Sequence, residues 1–233
     1  MREELFTADL GIVDYERAHA LQQALVAARM RDEIGDTLLL LEHPHVYTLG
    51  RGADEKFILA MRPGVPVHRV SRGGQVTYHG PGQIVGYPIL KLEGAARDVS
   101  RYLRHLEQAM IAALARFGIA GERREKLTGV WVDRRKIASI GVGIRRWVTF
   151  HGLALNVNPD LAYFDAIVPC GIAGCEMTSL AQLGRTDVRV VEFANALRSA
   201  FRDTFEYRAI STADPRRLWS LIDPPQTIAE ASN

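Results

Sequence analysis

Segments with helical and with strand periodicity come in groups along this chain rather than in alternation, and that order constrains the fold more than any single motif. A helix is predicted over residues 14–34, with Asp14 as N-cap, an apolar stripe of Ala18, Leu21, Leu25 and Ala28, and Gly35 as the stop. Short apolar runs of β character follow at 37–42, 46–50, 65–70 and 83–90. A second helix begins at Ser100, repeats Leu103, Leu106, Met110, Leu114 and Phe117 at helical spacing, and ends at Gly118. Strands return at 130–132, 137–144, 147–150 and 153–157, with residues 133–136 as a hairpin turn, and a third amphipathic helix covers 191–205. Grouped in this way, the elements predict an α+β fold of mixed β-sheets with flanking helices, not a doubly wound parallel sheet.

Size allows one core to hold this together. The chain has 233 residues, 47% hydrophobic and 24% charged, and a chain of this length buries roughly 70–75% of its unfolded surface. We expect a single catalytic domain over residues 1–211 and a partly loose tail over 212–233, where Pro215, Pro224 and Pro225 punctuate the sequence. The first residues lack the apolar core of a signal peptide, and the apolar run at 37–41 is far shorter than the ~20 residues of a membrane span. Two cysteines, Cys170 and Cys175, cannot build a disulfide framework, and without an export signal they predict a cytoplasmic protein. The net charge of +2 argues against a dedicated nucleic-acid coat but allows local patches.

Three segments could carry chemistry. Between Arg72 and Gln83 stand four glycines, Gly73, Gly74, Gly80 and Gly82, beside Thr77, Tyr78 and His79. The backbone there must lie close to something, either another strand at a tight hairpin or a ligand. A strand follows rather than a helix, and neither a GxxxxGK[ST] nor a helix-opening GxGxxG is present, so a nucleotide cradle is disfavoured. Cys170, framed by Pro169 and Gly171, sits in a turn where a thiol can be exposed beside backbone N–H donors. A thiol nucleophile needs a base, and His79, His151 and Lys136 are the candidates; arginine cannot release its proton, whereas a buried lysine can. Against each stands a plainer role: a structural cysteine, a core histidine, a solvated turn lysine. His43 and His45 flank Pro44 with no acidic or cysteine cluster nearby, so we predict no metal. Basic clusters at 123–126, 134–136 and 145–146 read as a solvated sheet edge or as a docking patch for an acidic partner.

In order, the stretches 41–51, 72–83, 129–132, 136–141, 150–157 and 169–171 resemble the octanoyltransferases of lipoate biosynthesis, over the chain from about residue 38 to 180. Each piece is modest alone; six in the right order are specific. The resemblance implies the fold shared by biotin and lipoate protein ligases and a reaction of two acyl transfers without a cofactor. It assigns Cys170 as the residue that takes an octanoyl group from octanoyl-acyl carrier protein as a thioester, with Lys136 as its base. It assigns Arg72, Gly73, Gly74 and Gln75 to the acyl pocket, with Val76, Thr77, Tyr78 and His79 of the run that follows. Ser139, Ile140 and Gly141, and across from them Gly152, Leu153 and Ala154, complete that pocket. The acceptors it implies are lysines on lipoyl domains of 2-oxoacid dehydrogenases and on the glycine cleavage H protein. It implies no nucleic acid and no membrane, and we expect a monomer. Glycine at 73, 74 and 152 is expected to leave room for an extended alkyl chain. Two other functions compete: an ATP-dependent lipoate or biotin ligase on the same fold, and a basic binding module with no catalysis.

Overall fold

The computed structural model describes residues 2–60 and 62–223. The chain opens with strand β1 (Arg2–Ile12), helix α1 (Tyr15–Met30), β2 (Asp36–Glu42) and β3 (Val46–Leu49). Next come β4 (Val67–Arg69), β5 (Val76–His79), β6 (Gln83–Ile89) and helix α2 (Val99–Ala115). A meander of β7 (Glu122–Arg124), β8 (Leu127–Val132), β9 (Arg135–Arg145) and β10 (Val148–Asn156) precedes helix α3 (Val190–Thr204), β11 (Tyr207–Thr212) and the short helix α4 (Pro215–Trp219).

Eight strands form one mixed sheet in the order β11-β1-β2-β6-β10-β9-β8-β7, and a three-stranded sheet, β4-β3-β5, stands beside it. The β1 pairings are parallel and the rest of the large sheet is antiparallel. Both faces of the large sheet are covered, which explains the unbroken leucines of β2. Leu38 and Leu40 face the layer under α2 and α3, while Leu39 and Leu41 face α1. Each leucine buried in this way contributes roughly 1.5–3 kcal/mol. The small sheet has its own core, in which Tyr47, Val76 and Tyr78 meet Phe164 and Ile167.

The expected stripe of α1 is buried, with Asp14 accepting from the Glu16 N–H, but the helix stops at Met30 because Asp32 turns left-handed at φ 59°. Gly35 has a different task, since a Cβ there would stand 2.7 Å from the Phe6 ring. Helix α2 is capped by Asp98, not Ser100: its carboxylate accepts from Arg101 N–H at 3.0 Å. The edge strand β11 and its neighbour β1 are unforeseen. β1 and β11 pair in parallel from Arg2↔Tyr207 to Thr7↔Thr212, bringing the two ends of the described chain together. Of the tail expected to be partly loose, residues 212–223 are described. Asp214 caps α4, Leu218 is buried, and Arg17 lies 4.7 Å over the Trp219 ring; Pro224 and Pro225 lie outside the described residues. Among the described residues no helix is long and apolar enough to cross a membrane.

Where β6 meets β10, the ladder opens. Leu153 pairs with Gly86 and Thr149 N–H with Leu90 carbonyl, leaving His151 opposite Pro88, which has no N–H to offer. His151 adopts φ 54° and sends its own N–H to Gln22 Oε1 at 2.8 Å. The expected break between 150 and 153 is therefore a local departure inside one continuous strand, and it shapes one wall of the site.

Candidate active site

A cavity of about 580 Å³ opens between the two sheets. Its walls come from the loop at 72–75, β5, the middle of β9 and β10, and the first turns of α1 and α2. Cys170 and Lys136 both line it.

Cys170 sits at φ 57° in the tight turn Pro169–Gly171, a left-handed conformation that a β-carbon makes costly. The turn leaves Cys170 half-buried, at the cavity wall. Lys136, on β9, is 1% exposed. Its backbone is pinned at both ends by the segment after the cysteine: its N–H donates to Glu176 carbonyl at 2.8 Å and its carbonyl accepts from Thr178 N–H at 2.9 Å. Its Nζ donates to the Thr128 carbonyl at 3.1 Å and to Cys170 Sγ at 3.2 Å, and stands 5.4 Å from the centre of the Trp131 ring. The sequence separation of 34 between lysine and cysteine is thus closed by the bridge from Lys136 to the segment at 176–178. Ser139 Oγ adds a contact to Cys170 Sγ at 3.7 Å. Burial pushes the Cys170 thiol up, but the Lys136 ammonium, the Ser139 hydroxyl and the Arg72 guanidinium outweigh it and hold the thiol below its ordinary value.

Arg72 is buried beneath the glycine loop. Its guanidinium donates to the Thr48 carbonyl and hydroxyl at 2.8 Å and to Gly73 carbonyl at 3.0 Å. Burial draws it below the ordinary arginine value, and among the described residues no carboxylate pairs with it. Two buried cations therefore flank Cys170, a setting that a thiolate or a developing oxyanion would balance.

The structure separates the other candidates. Burial pushes His79 and His151 down to about 3, so both rings are neutral at neutral pH. His79 Nδ1 is engaged with Gln83 Oε1 at 2.7 Å, and His151 Nε2 lies 3.5 Å from Ser71 Oγ. They line the cavity without reaching the thiol. His43 is bound to the Val13 carbonyl and the Tyr87 hydroxyl, and His45 to the Tyr78 hydroxyl.

Of the expected pocket residues, Arg72, Gly73, Gly74, Gln75, Thr77 and His79 line the cavity, as do Ser139–Gly141 and Gly152–Ala154. Val76 and Tyr78 do not. The period of two along β5 turns them into the core of the small sheet. The glycines also serve another end than the one expected. Gly73 N–H donates to Val142 carbonyl at 2.8 Å, and a Cβ on Gly152 would collide with the Gly86 carbonyl, so they bring backbone against backbone. Tyr15, Tyr87, Val99, Leu103 and Ile172 join the lining without any local signal in their sequence. The basic clusters are only partly free: Arg123 turns in to the buried Glu107, and Arg124 lies 4.9 Å over Trp131. Arg51 and Lys126, both exposed, stand at the cavity rim.

Comparison with known proteins shows the family. The family model for the lipoyl protein ligase A/B catalytic domain matches residues 14–202. An octanoyltransferase of Geotalea uraniireducens (strain Rf4) is 50% identical over 184 residues, 79% of this chain and 85% of that protein. Another from Geobacter metallireducens is 46% identical over 209 residues, 89% of this chain and 97% of that protein. The chain belongs to the octanoyltransferase family. It is an acyltransferase, as the resemblance implied. In fold it is similar to a bipartite lipoate protein ligase from Thermoplasma acidophilum, with TM-score 0.70, 16% identity and coverage of 94% of this chain and 91% of that one. A biotin protein ligase from Aquifex aeolicus is more distant, with TM-score 0.51, 13% identity and coverage of 88% and 70%. The α+β, ligase-like architecture expected from the sequence is the observed one.

Proposed function

We propose that the chain moves an octanoyl group in two steps, from octanoyl-acyl carrier protein to Cys170 and from Cys170 to a lysine of a lipoyl domain. The observation that carries this reading is the 3.2 Å contact between Lys136 Nζ and Cys170 Sγ inside a cavity with an apolar wall. In the first step the Cys170 thiolate attacks the thioester carbonyl, the C–S bond to the carrier breaks, and the carrier thiolate takes a proton from the Lys136 ammonium. In the second, the acceptor amine attacks the Cys170 thioester, the thiolate leaves, and the amine gives its proton back to Lys136. Thioester exchange is nearly isoenergetic and amide formation runs downhill, so neither step calls for ATP. Leu153, Ala154 and Ile140 offer the acyl chain an apolar surface, at roughly 0.8 kcal/mol for each CH₂ buried.

Intact-mass measurement after mixing with octanoyl-acyl carrier protein tests this. We expect one octanoyl adduct that hydroxylamine removes and that Cys170→Ala abolishes. An adduct that forms only with free octanoate and ATP, and that persists in Cys170→Ala, would establish the ligase reading instead. Full transfer activity in Cys170→Ser would refute the thioester route.

A further inference from the structure

Glu107 lies on the inward face of α2, among Leu106, Ala109, Met110, Ala113 and Leu114, with its side chain 1% exposed. A carboxylate costs several kcal/mol to bury, roughly, unless paired and hydrogen-bonded, so its partners show what it serves. Oε2 accepts from Arg104 Nη1 at 2.7 Å and from Arg123 Nε at 3.1 Å. Oε1 accepts from the Gly129 N–H at 3.1 Å. The carbonyl of that same peptide group is Thr128, and it is the oxygen that holds Lys136 Nζ at 3.1 Å. One planar peptide unit therefore has a carboxylate on its N–H end and the ammonium facing Cys170 on its C=O end.

We propose that Glu107 is a positioning residue for acyl transfer: by gripping the N–H of the Thr128–Gly129 peptide, it aims the Thr128 carbonyl at Lys136 Nζ and so fixes the ammonium against Cys170. This rests on the Cys170–Lys136 pair proposed above. The strand ladder does not set that peptide's orientation by itself. The β8–β9 register shifts between Val130 and Trp131, and Gly129 has φ 128°, a region open to glycine and rarely to other residues. The carboxylate supplies the missing constraint and polarises the carbonyl toward the ammonium. The groups that act on the thiol directly are Lys136 and Ser139 of β9 and Arg72 of the glycine loop, and Cys175 faces the same pair from the segment beyond. Glu107 reaches the thiol through Lys136.

The test is the pH profile of Cys170 alkylation by iodoacetamide in the full-length chain, read by peptide mass so that Cys175 serves as an internal reference. Wild type is compared with Glu107→Gln, which keeps the shape, and Glu107→Met, which leaves no buried charge unpaired. Arg104 and Arg123 are 47% and 37% exposed and can turn to water once the carboxylate is gone. We expect the Cys170 midpoint to rise by about one pH unit, so alkylation below it slows about tenfold, with a smaller change at Cys175, which Lys136 also faces. Steady-state assays should show kcat reduced while KM for the acyl donor stays within about twofold. A folded variant whose Cys170 profile superimposes on wild type overturns the proposal, whatever its melting temperature; so does an equal slowing at Cys175. If wild type forms no hydroxylamine-labile adduct, the thioester reading fails instead, and the two failures are told apart.

Discussion

Replacing Gly129 by alanine is a direct test of where Lys136 must stand. A Cβ at that position would lie 2.5 Å from the Ala138 carbonyl oxygen, 2.7 Å from Lys136 Cε and 3.3 Å from its Nζ. Carbon atoms in contact settle at about 3.5–4.0 Å, so the lysine stem has to move by about 1 Å. The Nζ to Sγ contact is 3.2 Å, and a misplacement of about 1 Å at a reacting group costs on the order of 10²-fold in rate. The φ of 128° adds backbone strain for any L residue, on the order of 1–3 kcal/mol. We therefore expect Gly129→Ala to melt at lower temperature yet remain folded, and to acylate Cys170 about 100-fold more slowly in a single turnover. Rapid quench followed by intact-mass analysis measures that rate without the second substrate, and circular dichroism at the assay temperature verifies folding. If the folded variant acylates within about threefold of wild type, the position of Lys136 does not limit the chemistry, and the argument from the 3.2 Å contact is wrong.

Other consequences are open to simpler assays. Arg51→Glu and Lys126→Glu, at the cavity rim, should raise KM for an acidic acyl carrier protein at low salt. The difference should fade above about 0.15 M, where the Debye length is about 8 Å; equal KM values at low salt would rule out docking at this rim. Hexanoyl donors should show kcat/KM reduced by about 15-fold against octanoyl, because two CH₂ groups lose about 0.8 kcal/mol each. Equal rates would mean that the acyl chain does not enter the cavity. Burial lowers His43 to about 4 and His79 and His151 to about 3 in the folded chain, from an ordinary 6.5. The unfolded chain therefore binds more protons between those values, and stability falls as pH drops below about 6.5, by about 2 kcal/mol for each histidine at pH 5. Urea melts at pH 7 and pH 5 report this directly, and a pH-independent midpoint would contradict the buried, neutral state of these rings.

What the sequence shows and hides follows from how local each feature is. The stripe Ala18-Leu21-Leu25-Ala28 is read within a dozen residues and is buried as expected; of the repeat along α2, Leu106, Met110 and Leu114 are buried, while Leu103 and Phe117 are half-buried. Val76 and Tyr78 were expected at the pocket because motif matching treats 72–79 as one block. A strand alternates its faces, so half of such a block must point away. β1 was hidden by its charges, Arg2, Glu3, Glu4 and Asp9, and by a partner, β11, some two hundred residues distant. Glu107 was hidden in another way, as a polar residue in an apolar helix whose purpose appears only where α2 meets the β8 bulge. Cys170 and Lys136 stood out by motif, yet the motif says nothing of why their charges are tolerated. Arg72 and Lys136 are buried without a direct carboxylate partner among the described residues, and Glu107 reaches Lys136 only across a peptide bond. A carboxylate in direct contact with Lys136 would compete with the thiolate for the ammonium. Setting it one peptide away holds the lysine in place while leaving both cations facing the Cys170 sulfur, and the thioester route proposed for Cys170 calls for that arrangement.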